Sequence, residues 1–262
     1  MKYLLPVAVV LFCACNNDDN TAKSSNTLAA SQEQTLKDAV AQYPDSVILK
    51  ESLIQYYREA GNYRNAIVTV DNAIMKDSGS ARLWDIKATL NFENGDTAQA
   101  IHSFEKAVEI AADPVYMISL GTLYAETKNP NALIIADALL GSKAKAEKES
   151  YFIKGLYYSY NGEKEKSIPF FDKCLSISYT YMEAYSEKAL ALYDLKKYNE
   201  ALAVLDKALT LQNNYDEGYY YQGLCLEKLN RPAEAIESYQ SALAYDPDYI
   251  EAKAALARLG VK

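Results

Sequence analysis

The stretch "ESYFIKGLYYSYN" from Glu149 is restated as "EAYSEKALALYDL" from Glu183 and "EGYYYQGLCLEKL" from Glu217, each copy starting 34 residues after the one before. A fixed period of this length constrains a fold more than any single motif does. Each unit must be one supersecondary element that cannot bury its apolar face alone and shares a core with its neighbours. In the last unit, 216–249, Tyr219, Gly223, Leu226, Ala235, Tyr239, Ala242 and Pro247 fall at positions 4, 8, 11, 20, 24, 27 and 32. Unit 182–215 carries Tyr185, Ala189, Leu192, Ala201, Leu205 and Ala208 in the matching places, and unit 148–181 carries Tyr151, Gly155, Tyr158, Phe171 and Cys174, with Ser167 for the small residue at position 20. Upstream, 81–113 carries Trp84, Ala88, Ala100, Phe104 and Ala107, and 47–80 carries Leu53, Tyr57, Gly61, Ala66 and Ala73. Unit 114–147 is degenerate: it keeps Gly121 and Tyr124, but Leu133 stands where Ala belongs and the second helix is expected to stop early at Gly141.

This arrangement resembles the tetratricopeptide repeat, which places an aromatic, Gly, Tyr, Ala, Phe, Ala and Pro at those positions. The resemblance implies an all-α fold, a tetratricopeptide-repeat solenoid built as a right-handed superhelix of antiparallel helix pairs, over residues 28–262. Small residues at positions 8, 20 and 27 let the two helices of a unit approach closely, while bulky ones at 4, 11 and 24 fill the space between units. The ends require caps. A half-repeat helix over 31–43, closed by Pro44, is expected in front, and a helix over 248–259 behind. Of 23 tyrosines, twelve (Tyr57, Tyr63, Tyr124, Tyr151, Tyr158, Tyr181, Tyr185, Tyr198, Tyr215, Tyr219, Tyr239 and Tyr249) occupy repeat framework positions, so most of the tyrosine content is packing.

The first 14 residues read as a signal peptide: one lysine, an apolar run from Tyr3 to Phe12, then an abrupt polar switch. The run is too short to span about 30 Å of hydrocarbon as a helix. Its end, "FCAC", looks like the lipobox of bacterial lipoproteins, which implies an acylated cysteine as the mature N-terminus. Cys15 has the small Ala14 before it, whereas Cys13 follows the bulky Phe12, so lipidation is assigned to Cys15. Residues 15–27 are then the lipidated cysteine and a small, polar, flexible tether. The acidic pair Asp18 and Asp19 resembles the export tag of surface lipoproteins in the Bacteroidota. Together these resemblances imply an outer-membrane lipoprotein of a bacterial envelope, held to the membrane through its lipid anchor only.

Composition narrows the function. A net charge of -8 with no cluster of Lys or Arg repels phosphate backbones, so nucleic acid is excluded as a partner. One histidine and four cysteines leave little material for metal sites or imidazole chemistry, and neither a Gly-rich phosphate loop nor a Gly-x-Ser-x-Gly elbow occurs. His102 reads as surface, and Cys174 and Cys225 as small core residues two repeats apart. No cofactor, metal or enzymatic activity is expected.

What remains is surface. In the resembled family, positions 2, 5, 9, 12 and 13 of each first helix line a concave groove. Carried onto the last three repeats, these give Glu149, Glu183 and Glu217 in one row, Leu156, Leu190 and Leu224 in another, and Phe152, Tyr160, Tyr193 and Tyr220 among them. Leucine at position 9 departs from the usual polar residue, so that row is either a ligand site or tight superhelical packing. A protein or peptide ligand with apolar anchors and some positive charge suits the groove. The basic clamp of chaperone-binding relatives is missing, which disfavours an acidic C-terminal peptide. The expected function is an envelope scaffold or adaptor, serving complex assembly or secretion. Two other classes stay open: a glycan-binding accessory lipoprotein of a polysaccharide uptake system, and a self-associating structural protein.

Overall fold

The computed structural model describes residues 20–141 and 145–261. Among them are fourteen α-helices and no strand. They are α1 (Asn20–Gln42), α2 (Val47–Glu59), α3 (Tyr63–Lys76), α4 (Ala81–Glu93), α5 (Thr97–Ile110), α6 (Pro114–Glu126), α7 (Asn131–Gly141), α8 (Glu147–Tyr160), α9 (Lys164–Ile177), α10 (Met182–Asp194), α11 (Tyr198–Leu211), α12 (Asp216–Lys228), α13 (Pro232–Tyr245) and α14 (Ile250–Arg258). The expected signal segment, the lipidation site Cys15 and the acidic pair Asp18 and Asp19 lie outside the described residues.

Two compact units divide the chain after Lys76. The first contains α1, α2 and α3. Helix α1 begins at Asn20 rather than at Ser31, so it takes in the second half of the segment expected to be a tether. The stretch "NTAKSSNTLAAS" holds no Gly or Pro to break a helix, and its Ala, Lys and Leu residues favour one. Ser46 caps α2 by accepting from the Leu49 amide, and the Tyr57 hydroxyl donates to Glu33 on α1 at 2.9 Å. Leu53, Ile54, Tyr57, Ala66, Val70 and Ala73 are buried.

The second unit runs from α4 to α14 as consecutive antiparallel pairs, with α14 packed on α13 as the rear cap. Position 8 governs how closely the helices of a pair approach. A Cβ on Gly155 would sit 2.5 Å from the Phe171 ring, and one on Gly223 would sit 2.4 Å from the Tyr239 ring, so the aromatic at position 24 fills the room that glycine leaves. The aromatic at position 4 pins the turn that leads into its own helix. Trp84 Nε1 donates to the Ser78 carbonyl at 3.0 Å, and the Tyr185 and Tyr219 hydroxyls donate to the Tyr179 and Asn213 carbonyls at 3.1 Å, each across the turn that enters its helix. A second recurring tie joins position 7 to the preceding helix: Lys154 to Asp137, Lys188 to Asp172 and Gln222 to Asp206, at 2.6, 2.6 and 2.8 Å.

Unit 114–147 departs from the frame in an informative way. Helix α7 has 11 residues where α5, α9, α11 and α13 have 14. Its start carries the tight bonds Ala132 N–H to Asn129 O and Leu133 N–H to Pro130 O, both three residues back. Three residues per turn advance the helix phase, and the buried face arrives one residue early. Ala132, Ala136 and Leu139 are accordingly buried, while Leu133 is only partly so. The small-residue contact expected to be lost at Leu133 is therefore kept, by Ala132.

Candidate peptide-binding face

In the second unit, α6 packs on α8, α8 meets α10 and α10 meets α12, so these first helices line up along an inner face. Ten side chains were expected there, and the structure separates them. Leu156 and Phe152 are 2% and 7% exposed and belong to the interior, where the Phe152 ring lies 5.0 Å from Tyr181 and 6.0 Å from Phe171. Their placement in the groove is thus corrected. The apolar row is core at Leu156 because α6 and α8 close over it, whereas Leu190 and Leu224 stay half-buried. Leu224 rests on Leu226, Tyr239 and Leu256, and Tyr220 lies 5.1 Å from Tyr249 and 5.8 Å from Tyr239. Tyr160 and Tyr193 are half-buried too, as are Glu149, Glu183 and Glu217.

The glutamates differ in how far their charge is already matched. Glu217 accepts hydrogen bonds from Tyr215 at 2.7 Å and Tyr221 at 3.2 Å, and Tyr215 also bonds Ser186. Burial nonetheless pushes the Glu217 carboxyl above its ordinary value, against the pull of those two hydroxyls. Glu149 lies 3.4 Å from Lys148 through Oε1, while its Oε2 is buried without a hydrogen-bond partner. Burial likewise raises Glu126, at the end of α6.

The residue that sequence reasoning missed is Glu187. It lies on α10 at position 6, which was not counted among the groove positions, and it is 4% exposed. The same position holds Ile153 in the unit before and Tyr221 in the unit after, so a carboxylate in an apolar and aromatic column was the available signal. Among the described residues Glu187 has neither a hydrogen-bond nor an ion-pair partner, and its carboxylate oxygens, unlike Glu149 Oε2, are not fully enclosed. Burial pushes it up to about 7, nearby Glu217 and Glu126 adding to the rise and Lys164 opposing it. Lys164 is committed elsewhere, to Asp194 at 2.7 Å and Ser159 at 3.1 Å. The Tyr160 hydroxyl, driven well above its usual range by burial, feels Glu187, Glu126 and Glu217 together.

Other surfaces carry less. A cavity of about 370 Å³ opens between α9, α10 and α11, but its charges are matched by Lys188 on Asp172 and by Lys207 over the Tyr185 ring. Cys174 and Cys225 are buried free thiols raised to about 12, and His102 is exposed with its ring edge-on to Trp84. No cluster of His, Cys, Asp and Glu among the described residues could hold a metal ion, and no described helix is long and apolar enough to cross a membrane.

Models of the tetratricopeptide repeat match residues 81–114, 148–181 and 186–250, together just over half of the chain. The chain is a tetratricopeptide-repeat protein. Its fold is an all-α tetratricopeptide-repeat solenoid. It is similar to a tetratricopeptide-repeat protein from Parabacteroides merdae, with a TM-score of 0.74 at 18% identity over 92% of this chain and 95% of that one. PilW, described as a widely conserved type IV pilus biogenesis factor, gives a TM-score of 0.63 at 17% identity over 79% of this chain and 97% of its own. A thermophilic repeat protein of Thermus thermophilus gives 0.59 at 18% identity, over 69% of this chain and 98% of that one. No curated protein matches the sequence. Identities this low establish the fold alone. Tetratricopeptide-repeat proteins are generally non-enzymatic scaffolds, and the fold suggests a protein-interaction role.

Proposed function

We propose that the chain is a lipid-anchored adaptor of the bacterial cell envelope. Acylated Cys15 holds it to the outer membrane, and the inner face of α6, α8, α10 and α12 holds a segment of a protein partner during the assembly of an envelope complex or in secretion. The observation that carries the reading is the mixed character of that face. Half-buried Leu190, Leu224, Tyr193 and Tyr220 offer apolar anchoring, and buried Glu187, without a cationic partner among the described residues, offers charge. Aromatic and aliphatic anchors beside unneutralised charge are what recognition of a peptide segment requires. The envelope location is supported by the apolar run from Tyr3 to Phe12 and by Ala14 before Cys15.

Two measurements test it. Cys15→Ser should move the protein from the membrane to the soluble fraction, whereas Cys13→Ser should not. Release by Cys13→Ser alone would overturn the lipidation assignment. Crosslinking in intact envelopes followed by capture should retain one or a few envelope proteins, and Leu224→Ser should lose them. Retention unchanged by Leu224→Ser would place the partner elsewhere.

A further inference from the structure

We propose that the centre of the inner face, around Glu187, seats one cationic side chain, a lysine or arginine, of the bound protein segment. The inference rests on the reading of this face as a binding surface and names the chemistry of its occupant. Helix α8 packs on α6 and α10, and α10 on α12, and three carboxylates on these helices, Glu126, Glu187 and Glu217, each act electrostatically on the Tyr160 hydroxyl of α8. A group of acids alone would mean little on a protein of net charge -8.

Glu187 makes the difference. It is 4% exposed, but its carboxylate oxygens are not fully enclosed; it has no hydrogen-bond or ion-pair partner among the described residues and stands where the flanking repeats place Ile153 and Tyr221. Buried polar groups in folded proteins are almost always satisfied, and a buried carboxylate is normally paired. The protein's own cation nearest in electrostatic effect, Lys164, is held by Asp194 and Ser159. Glu217 is held by two tyrosines, which leaves Glu187 and Glu126 as acceptors without a partner among the described residues, Glu187 being the more buried of the two. A divalent ion is not the match, since no cluster among the described residues has a metal-binding arrangement. A single ammonium or guanidinium on a flexible stem needs no such arrangement: its head can reach Glu187 while its methylenes cross the tyrosine ring edges. Tyr160 and Tyr221 both lie within the field of Glu187 and supply those rings.

The same geometry predicts how binding depends on pH. Glu126, Tyr160, Lys164, Glu217 and Tyr221 are the titratable groups that face Glu187, and burial among them raises its carboxyl to about 7. A cation binds the ionised form, so affinity falls as pH drops through about 7 and binding at pH 6.5 releases a proton.

The test uses the full chain and a randomised heptapeptide display library. Selected peptides should carry one lysine or arginine. Replacing it with norleucine should weaken binding at least tenfold, about 1.4 kcal/mol. Glu187→Gln, an uncharged isostere whose fold is checked by circular dichroism, should weaken the cationic peptides equally and the norleucine peptides not at all. Leu224→Ser should weaken both sets. Cationic peptides that bind Glu187→Gln as well as the parent, or a selection with no cation or no binder, would overturn the proposal. If Leu224→Ser still weakens peptides that are indifferent to Glu187→Gln, the charge inference fails while the binding face stands. If neither change matters, the face itself is not the site.

Discussion

At the scale of single residues, position 15 shows what the repeat demands of its backbone. Gly61, Gly95, Gly162, Lys128, Lys196 and Asn230 all stand at that position between paired helices, and all have positive φ, between 60° and 85°. Glycine adopts this region freely, asparagine tolerably and lysine at a cost of about 1 kcal/mol or more. The turn geometry thus belongs to the repeat and overrides the side chain. Lys196→Gly should therefore raise stability by about 0.5–1 kcal/mol, part of the gain being offset by the more flexible unfolded chain. Denaturant unfolding measures it, and an unchanged midpoint would mean that Lys196 carries no strain. The tyrosines follow the same logic. None of the twelve framework tyrosines is exposed, and the Tyr of each Glu-x-Tyr triplet makes a definite contact. Tyr185 and Tyr219 bridge to a carbonyl six residues upstream, whereas Tyr151 instead takes the Lys173 ammonium over its ring at 5.2 Å.

At the scale of elements, the repeat made helix boundaries legible and left two details hidden. The second-unit first helices begin at Ala81, Pro114, Glu147, Met182 and Asp216, within one residue of the starts set by the 34-residue period. What the period could not show is phase inside a degenerate unit. The tight turn at Asn129 and Pro130 shifts the face of α7 by one residue, and a motif alignment reads that shift as a lost alanine. Ser150 Oγ donates to the Ala136 carbonyl at 2.6 Å, a bond joining α8 to α7. Amides around Ala136 should hence exchange as slowly as those of α9, while Leu139 to Gly141, at the end of a short helix, should exchange faster than the last turn of α11. Uniformly fast exchange along α7 would contradict the shifted packing. The leucine row is the second hidden detail, because position 9 is solvent-facing or buried according to how neighbouring first helices meet. Leu156→Ser should cost about 2–4 kcal/mol as a buried large-to-small and polar change, and Leu190→Ser less than about 1.5 kcal/mol. Equal losses at both positions would return the whole row to the core.

At the scale of the whole molecule, the candidate site was legible as a surface but not as a charge pattern. The glutamate row at position 2 was visible in the opening triplets, yet the carboxylate that burial perturbs most clearly is Glu187, at position 6 of its unit. Burial depends on helices distant in sequence, so the pattern within one repeat does not announce it, and the only signal is the comparison of position 6 with Ile153 and Tyr221 in the flanking repeats. Its consequence for stability has a definite sign. A carboxyl raised from 4.5 to about 7 holds its proton more tightly in the folded chain than in the unfolded one. Between those pH values the folded state binds more protons, so stability from this group is complete below about pH 4.5 and is lost as pH rises through about 7. The full loss is about 3 kcal/mol on the conversion of a pKa difference to free energy. Glu126, Glu217 and Asp85 are also raised by burial and act in the same direction, and self-repulsion at net charge -8 adds to it. Stability should therefore decline from pH 5 to pH 8. Glu187→Gln should leave stability near pH 4 almost unchanged, raise it by about 1–3 kcal/mol at pH 8 and flatten the decline in between. Urea unfolding at several pH values reads this directly, and a variant whose decline matches the parent's would show that Glu187 is ionised at no cost in the folded chain. A substitution that stabilises the fold while removing a ligand's cationic anchor is what a residue placed for binding, at the expense of packing, should give.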